Sequence, residues 1–270
     1  MLHNNLVQRV FSAAVILIVA IPVTIVGGPW FWGFVLLVAG AAWWECVTMG
    51  RTGGMHTFLI VGGVATLGIC LLAAAPPPWR DLALLVTFGG VALAALVRRD
   101  YTGVLADIAY TLFGVFWIGW LAGYAIALRD VSGSVAGLDW LLAAIAVTIA
   151  TDTGAYVTGR ALGRHLLCPR VSPKKTVEGL IGGLLAAAAV GVAAALLALD
   201  RPWWQGALIG AAGGLAAVLG DLLESLVKRQ LGVKDSSRLI PGHGGVLDRI
   251  DGLLFVIPVM AACVMLIQSG

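Results

Sequence analysis

"KTVEGLIGGLLAAAAVGVAAALLAL", residues 175–199, carries no charged side chain after its fourth position. A run of this composition exceeds the roughly 20 apolar residues that a helix needs to cross a bilayer. Similar runs lie on both sides of it, and the whole chain is 60% hydrophobic with 11% charged residues and a mean hydropathy of +0.98. Soluble domains carry about 25% charged residues, so that class is excluded. The pattern predicts an all-α, polytopic membrane protein whose residues 1–270 form a single membrane-embedded domain.

Polar and Gly/Pro punctuation divides the chain into about nine transmembrane helices. They fall near residues 6–27, 30–48, 56–75, 81–97, 103–127, 137–158, 175–199, 203–228 and 252–268. The first could be mistaken for a signal peptide, but it lacks a convincing small-residue cleavage site and reads as a retained span. Four scattered cysteines (Cys46, Cys70, Cys168, Cys263) lack zinc-ligand or redox spacing and read as single thiols. A formal charge of +3 gives no ground for nucleic-acid binding.

The cations orient the chain. Alternating breaks place fourteen of the 17 Lys and Arg on the side of the N-terminus and leave Arg80, Arg129 and Arg201 opposite. The positive-inside rule then puts the N-terminus in the cytoplasm. Trp30, Trp32, Trp79, Trp140, Trp203 and Trp204 fall near breaks on the cation-poor side, as an interfacial belt would, whereas Trp117 and Trp120 read as packing residues.

Acids inside spans are costly and therefore candidates for function. Asp152 lies eight residues before Arg160, and Asp221 eight before Arg229. At 1.5 Å per residue both carboxylates sit roughly 12 Å below one interface, so the two spans can line a shared cytoplasmic cavity. Asp221, Glu224, Ser225 and Lys228 share one helix face. Asp107, alone and early in its span, reads as a structural hydrogen-bonding residue. In "SPKKTVEG" (172–179), Ser172 suits a helix cap and Pro173 the first helical position. Lys174 and Lys175 would then stand in the first turn, a place that favours an anion; the bland reading is a topological anchor with Glu178 neutralising a lysine.

The stretch "SLVKRQLGVKDSSRLIPGHGGVLDRID" (225–251) is out of character with its surroundings, packing five cations and three acids together. Lys228, Arg229, Lys234 and Arg238 can bind phosphate, and the Gly242, Gly244 and Gly245 backbone can approach a ligand closely. Asp248 and Asp251 flank Arg249 where the last span begins. Carboxylates, cations and bare backbone are the materials of a phosphate–Mg²⁺ site. For His243 two roles stay open, a ligand or proton role and a hydrogen bond within the loop.

This stretch resembles the C-terminal motif of the phosphatidate cytidylyltransferases, the CDP-diacylglycerol synthases. The motif positions are filled by Ser225, Lys228, Arg229, Lys234, Asp235, Pro241, His243, Gly244, Gly245, Asp248, Arg249 and Asp251. "DTGAY" (152–156) and "SPKKTVEG" also resemble family segments, with Val177 where an aromatic residue is usual and Leu166 where a polar one is. The resemblance is specific in the C-terminal half. It implies transfer of CMP from CTP to phosphatidic acid, with release of pyrophosphate.

On this reading residues 1–140 are an apolar helical scaffold and residues 141–270 a catalytic half with cytoplasmic loops 159–174 and 229–251. The resemblance implies Mg²⁺ on Asp221 and Asp248, with room for a second cation. Lys228, Arg229, Lys234, Arg238 and Arg249 would neutralise the triphosphate, while Lys174 and Lys175 would take the lipid phosphate or the triphosphate tail. Ser172, Ser225, His243, Gly244, Gly245 and Asp152 complete the substrate-binding set, with Asp251 beside the carboxylates. The expected partners are CTP, phosphatidic acid and membrane lipids, and a homodimer is compatible with the reading. The expected location is the bacterial cytoplasmic (inner) membrane with the active site facing the cytoplasm. The rivals are a CTP-dependent cytidylyl- or phosphotransferase for another lipid and, in another class, a cation-coupled transporter using Asp152 and Asp221. No inverted repeat supports the transporter.

Overall fold

A computed structural model describes residues 18–73, 75–131, 134–242 and 244–269. Residues 18–26 are helical. Helices α1 (Gly28–Thr52), α2 (Leu59–Leu72), α3 (Pro77–Leu96) and α4 (Val104–Gly114) follow, and α4 runs through a π-helical segment (Val115–Trp120) into α5 (Leu121–Asp130). Next come α6 (Ser134–Leu162), strands β1 (Leu166–Cys168) and β2 (Ser172–Thr176), α7 (Val177–Leu197), α8 (Trp203–Gln230) and α9 (Leu247–Ser269). Pro29, Pro77 and Pro78 open α1 and α3, where a missing N–H costs nothing.

Among the described residues, seven stretches are long and apolar enough to cross a membrane: α1, α3, Val104–Asp130, α6, α7, α8 and α9. The chain is thus a nearly all-α, polytopic integral membrane protein. Helix α2 has 14 residues and is shorter than the predicted span 56–75. It is confined between "GGMHTF" and the proline run, leaving roughly 21 Å of helix against a 30 Å hydrocarbon core. Most of the predicted first span lies outside the described residues.

Two compact units result. The first comprises Met1–Ala127 with Gln230–Arg249, the second Leu128–Arg229 with Ile250–Gly270. In the first, Trp43, Val47, Ile69 and Val115 form a buried cluster, and the Trp43 indole donates to the Leu59 carbonyl at 3.0 Å. Buried Asp107 pairs with Arg98 at 2.6 Å and accepts the His56 N–H at 2.8 Å, matching the structural reading of this acid.

In the second unit, α6 and α7 meet through small residues. A methyl group on Gly154 would stand 2.9 Å from the Gly182 carbonyl oxygen, and one on Gly183 2.9 Å from that of Thr151. Such backbone proximity supplies the dispersion contacts that replace hydrophobic driving force in lipid. The α8 and α9 backbones likewise touch where Gly220 faces the Asp251 carbonyl.

Four local expectations need correction. Residues 172–176 form strand β2, paired antiparallel with β1, and not the start of a helix. The Cys168–Val171 turn, closed by Val171 N–H to Cys168 O at 3.1 Å, feeds an extended segment in which Pro173 keeps its fixed φ. Thr176 caps α7 by accepting the Gly179 N–H at 3.1 Å, so Ser172 is not the cap. Glu178 accepts the backbone N–H groups of Arg164 and His165 and contacts the His165 ring at 2.6 Å, so among the described residues its ionic partner is a histidine and not a lysine. Among the tryptophans, Trp117 is buried as expected, but Trp140 is buried too, unlike exposed Trp30, Trp32, Trp79, Trp203 and Trp204.

Candidate active site

The second unit holds a cavity of about 500 Å³, a size typical of small-ligand sites. Asp152 on α6, Ser172, Lys174 and Lys175 on β2, and Asp221 on α8 all line it. Hairpin pairing of Leu166 with Thr176 and of Cys168 with Ser172 sets β2 beside the close-packed α6–α7 seam. The hairpin is tied to α7 by Val177 N–H donating to the His165 carbonyl at 2.8 Å. The lysines therefore reach the cavity from a strand, where no helix terminus fixes their direction.

The cavity is chemically two-sided. Leu167, Leu180 and Val218 supply apolar wall, while Arg160 and the two lysines supply positive charge. Lys175 Nζ lies 2.5 Å from Asp221 Oδ2, with side-chain exposures of 26% and 36%. These exposures leave both groups accessible to solvent and to an incoming ligand. Tyr156 and Arg160, linked by a 3.0 Å hydrogen bond, also line the cavity and were not singled out from the sequence. Their signals are position, one and two helical turns beyond Asp152, and for Tyr156 its place at the end of "DTGAY".

Helix α8 carries the predicted polar face. Ser225 Oγ donates to Asp221 Oδ1 at 3.4 Å, and Lys228 Nζ lies 2.8 Å from buried Glu224. Lys228 is therefore held by its own helix. Exposed Arg229 donates to the Val171 carbonyl at 3.3 Å, fastening the end of α8 to the hairpin. Asp251, in the first turns of α9, feels the charge of Asp221 and reaches Glu224.

The rest of the polar stretch belongs to the first unit. Asp248 accepts the Ser236 hydroxyl at 2.9 Å, the Ser236 N–H at 3.1 Å and the Gly245 N–H at 2.8 Å. Gly242 and Gly244 have φ of 77° and 86°, a region open to glycine, and a bridge joins Ile240 to Gly244. Lys234, Arg238 and Arg249 are exposed. His243 lies outside the described residues.

Sequence reasoning missed Glu45. This glutamate on α1 has 0% exposure and accepts from the Ser237 hydroxyl and from the N–H groups of Val246 and Leu247, with the Ser236 oxygen 3.1 Å from its Oε2. The signal is an acid inside an apolar run, six residues before Arg51.

Among the described residues no group of three or more His, Cys, Asp or Glu is arranged to hold a metal. Mg²⁺ needs none, since it is commonly bound through one or two carboxylates, substrate phosphates and water. Asp221 fits that use: it is a partly exposed oxygen donor whose lysine partner is able to turn to a phosphate. Asp248 fits it too, because ligating carboxylates are normally oriented by hydrogen bonds of the kind it makes.

Residues 7–267 match the family model described as "Cytidylyltransferase family". Proteins named phosphatidate cytidylyltransferase are similar to this chain along nearly its whole length. The one from a Synechocystis species is 35% identical over 286 residues, covering 96% of this chain and 97% of the relative. Those of Staphylococcus saprophyticus and Staphylococcus aureus are each 35% identical, covering 93% and 97% of this chain and 96% and 99% of theirs.

Proposed function

The chain belongs to the cytidylyltransferase family, and from that membership we propose that it transfers CMP from CTP to phosphatidic acid, leaving CDP-diacylglycerol in the membrane. The observation that carries the reading is the two-sided cavity, with Lys174, Lys175, Asp152 and Asp221 against Leu167, Leu180 and Val218. A water-soluble triphosphate and a lipid phosphate both need such charge, and only the lipid needs the apolar wall. The transporter reading loses its ground, since the family accounts for the intramembrane acids through nucleotide chemistry.

An oxygen of the phosphatidate monoester attacks the α-phosphorus of CTP, the bond to the β-phosphate bridging oxygen breaks, and pyrophosphate departs. The monoester is ionised at neutral pH, so the step demands orientation and charge neutralisation more than a strong base. Lys174 and Lys175 hold phosphate oxygens in the cavity. Lys234, Arg238, Arg249 and Arg229, all exposed, serve the triphosphate and its leaving group. Lys228 keeps Glu224 neutralised and holds this face of α8 in register. Asp221 and Asp248 are the carboxylates we propose as Mg²⁺ ligands, each on the surroundings described for its own unit. Bound there, Mg²⁺ supplies positive charge to the phosphates and the departing pyrophosphate. The cation bias of the loops supports a cytoplasmic active site.

The test uses purified protein, vesicles containing phosphatidic acid, Mg²⁺, and CTP labelled at either the α- or the γ-phosphate. Label from the α-position entering the lipid is the expected result. Lipid labelled only from the γ-position would make the protein a kinase, and no labelled lipid at all would overturn the reading.

A further inference from the structure

Helix α9 opens after two residues whose side chains carry no acceptor. Gly245 and Val246 precede Leu247, and neither side chain can accept a hydrogen bond from the first-turn N–H groups. The Val246 and Leu247 N–H groups lie before the first intrahelical donor, Arg249 N–H to the Val246 carbonyl at 3.0 Å, and need an acceptor. The acceptor comes from two hundred residues away. Glu45 Oε1 accepts the Val246 N–H and Oε2 the Leu247 N–H, both at 2.8 Å. A carboxylate also suits the positive end of the helix dipole.

The same carboxylate reaches the opposite limb of the loop. Ser237 Oγ donates to Oε1 at 2.6 Å, and Ser236 Oγ lies 3.1 Å from Oε2. Ser236 Oγ lies 2.9 Å from Asp248 Oδ2 as well, so one hydroxyl stands between the two acids. The seam has no room for a further atom. A Cβ on Gly245 would stand 2.7 Å from both Glu45 oxygens and collide with Ser236 Oγ. Glu45 thus closes a loop that carries Arg238, with Lys234 just before it and Asp248 and Arg249 just after it, and it does so from a fully buried position.

We propose that Glu45 is a positioning residue for the reaction: it pins residues 236–237 to residues 246–247 and thereby sets the orientation of Asp248 and of the loop cations toward CTP and Mg²⁺. The inference rests on the cytidylyltransferase reading. Glu45 touches no reacting atom. It acts through Ser236 and through the first turn of α9.

Glu45→Gln keeps the shape but turns one acceptor into an NH₂ facing a backbone or hydroxyl donor. Removing a hydrogen-bonding partner behind a metal ligand typically costs about 10- to 100-fold in metal affinity or activity. In detergent-purified, full-length protein we expect the half-saturating Mg²⁺ concentration and the KM for CTP to rise by about that factor, with the KM for phosphatidic acid unchanged. Amide exchange of Val246 and Leu247 should quicken at least about tenfold, because both lose a charged acceptor.

A merely structural role would lower the active fraction and leave every half-saturation value where it was. Unchanged Mg²⁺ and CTP half-saturation in a folded Glu45→Gln protein would overturn the proposal while an active wild type kept the functional reading. A wild type that makes no CDP-lipid would sink that reading, and the exchange rates would still decide whether Glu45 holds the loop. If Glu45→Gln does not accumulate, Ser237→Ala, which removes one donor to Oε1, carries the same test. A normal CTP KM and normal exchange in that variant would overturn the proposal.

Discussion

Lys175→Met removes one charge from the cavity while keeping much of the side chain's volume. In the folded protein its ammonium lies 2.5 Å from Asp221. For unit charges at that separation the Coulomb energy is about 1.7 kcal/mol in water and about 6.6 kcal/mol at an effective dielectric of 20. Exposures of 26% and 36% place the pair near the watery limit. Its net contribution to stability should therefore be about 1 kcal/mol or less. Catalysis should suffer more. A hydrogen bond from a charged donor is worth about 1.5–3 kcal/mol, so losing one to a substrate phosphate predicts a fall of about 10- to 150-fold in kcat/KM for CTP. The assay is incorporation of α-labelled CMP into phosphatidate vesicles, with thermal unfolding followed in parallel. Combining Lys175→Met with Asp221→Asn should cost less than the sum of the single effects, because the two residues touch. A Lys175→Met enzyme within about twofold of wild type would show that a charged contact of that strength is not made there.

Other substitutions separate scaffold from site. Gly245→Ala, which drives a methyl group into Ser236 Oγ and the Glu45 carboxylate, should cost about 1–3 kcal/mol in unfolding and abolish most CMP transfer. Asp107→Ala should lower stability by about 3 kcal/mol, the low end for breaking a buried pair because Arg98 reaches water, and leave the CTP KM of the folded fraction unchanged. Thr176→Val, which deletes the cap on Gly179 N–H, should cost about 1 kcal/mol and quicken amide exchange at the start of α7.

The membrane architecture was legible because lipid imposes a simple rule, a long apolar run for each crossing. It failed at α2, where the run was counted through flanking residues that the turns claim. The joint lining of one cavity by Asp152 and Asp221 also followed from the sequence, since equal spacing from Arg160 and Arg229 sets equal depth on regular helices. Segment 172–176 did not follow. A cap, a proline and two lysines read as a helix start, and only pairing with residues 166–168 makes them a strand. Glu45 shows the same limit in sharper form: its partners are some two hundred positions away, and no local pattern announces them.

The α6–α7 seam also governs how the protein can change length. Gly154 sits over Gly182 and Gly183, and Gly183 over Thr151, with backbone nearly touching backbone. One residue inserted between Thr176 and Gly183 would turn the following helix by about 100°, carrying these small residues out of the contact and driving larger ones in. Insertions and deletions are thus excluded from this stretch, and length differences between relatives should collect in the loops outside it. Aligning any new relative on residues 151–155 and 176–186 should therefore need no gap, and a gap there would mean that its helices meet in another way.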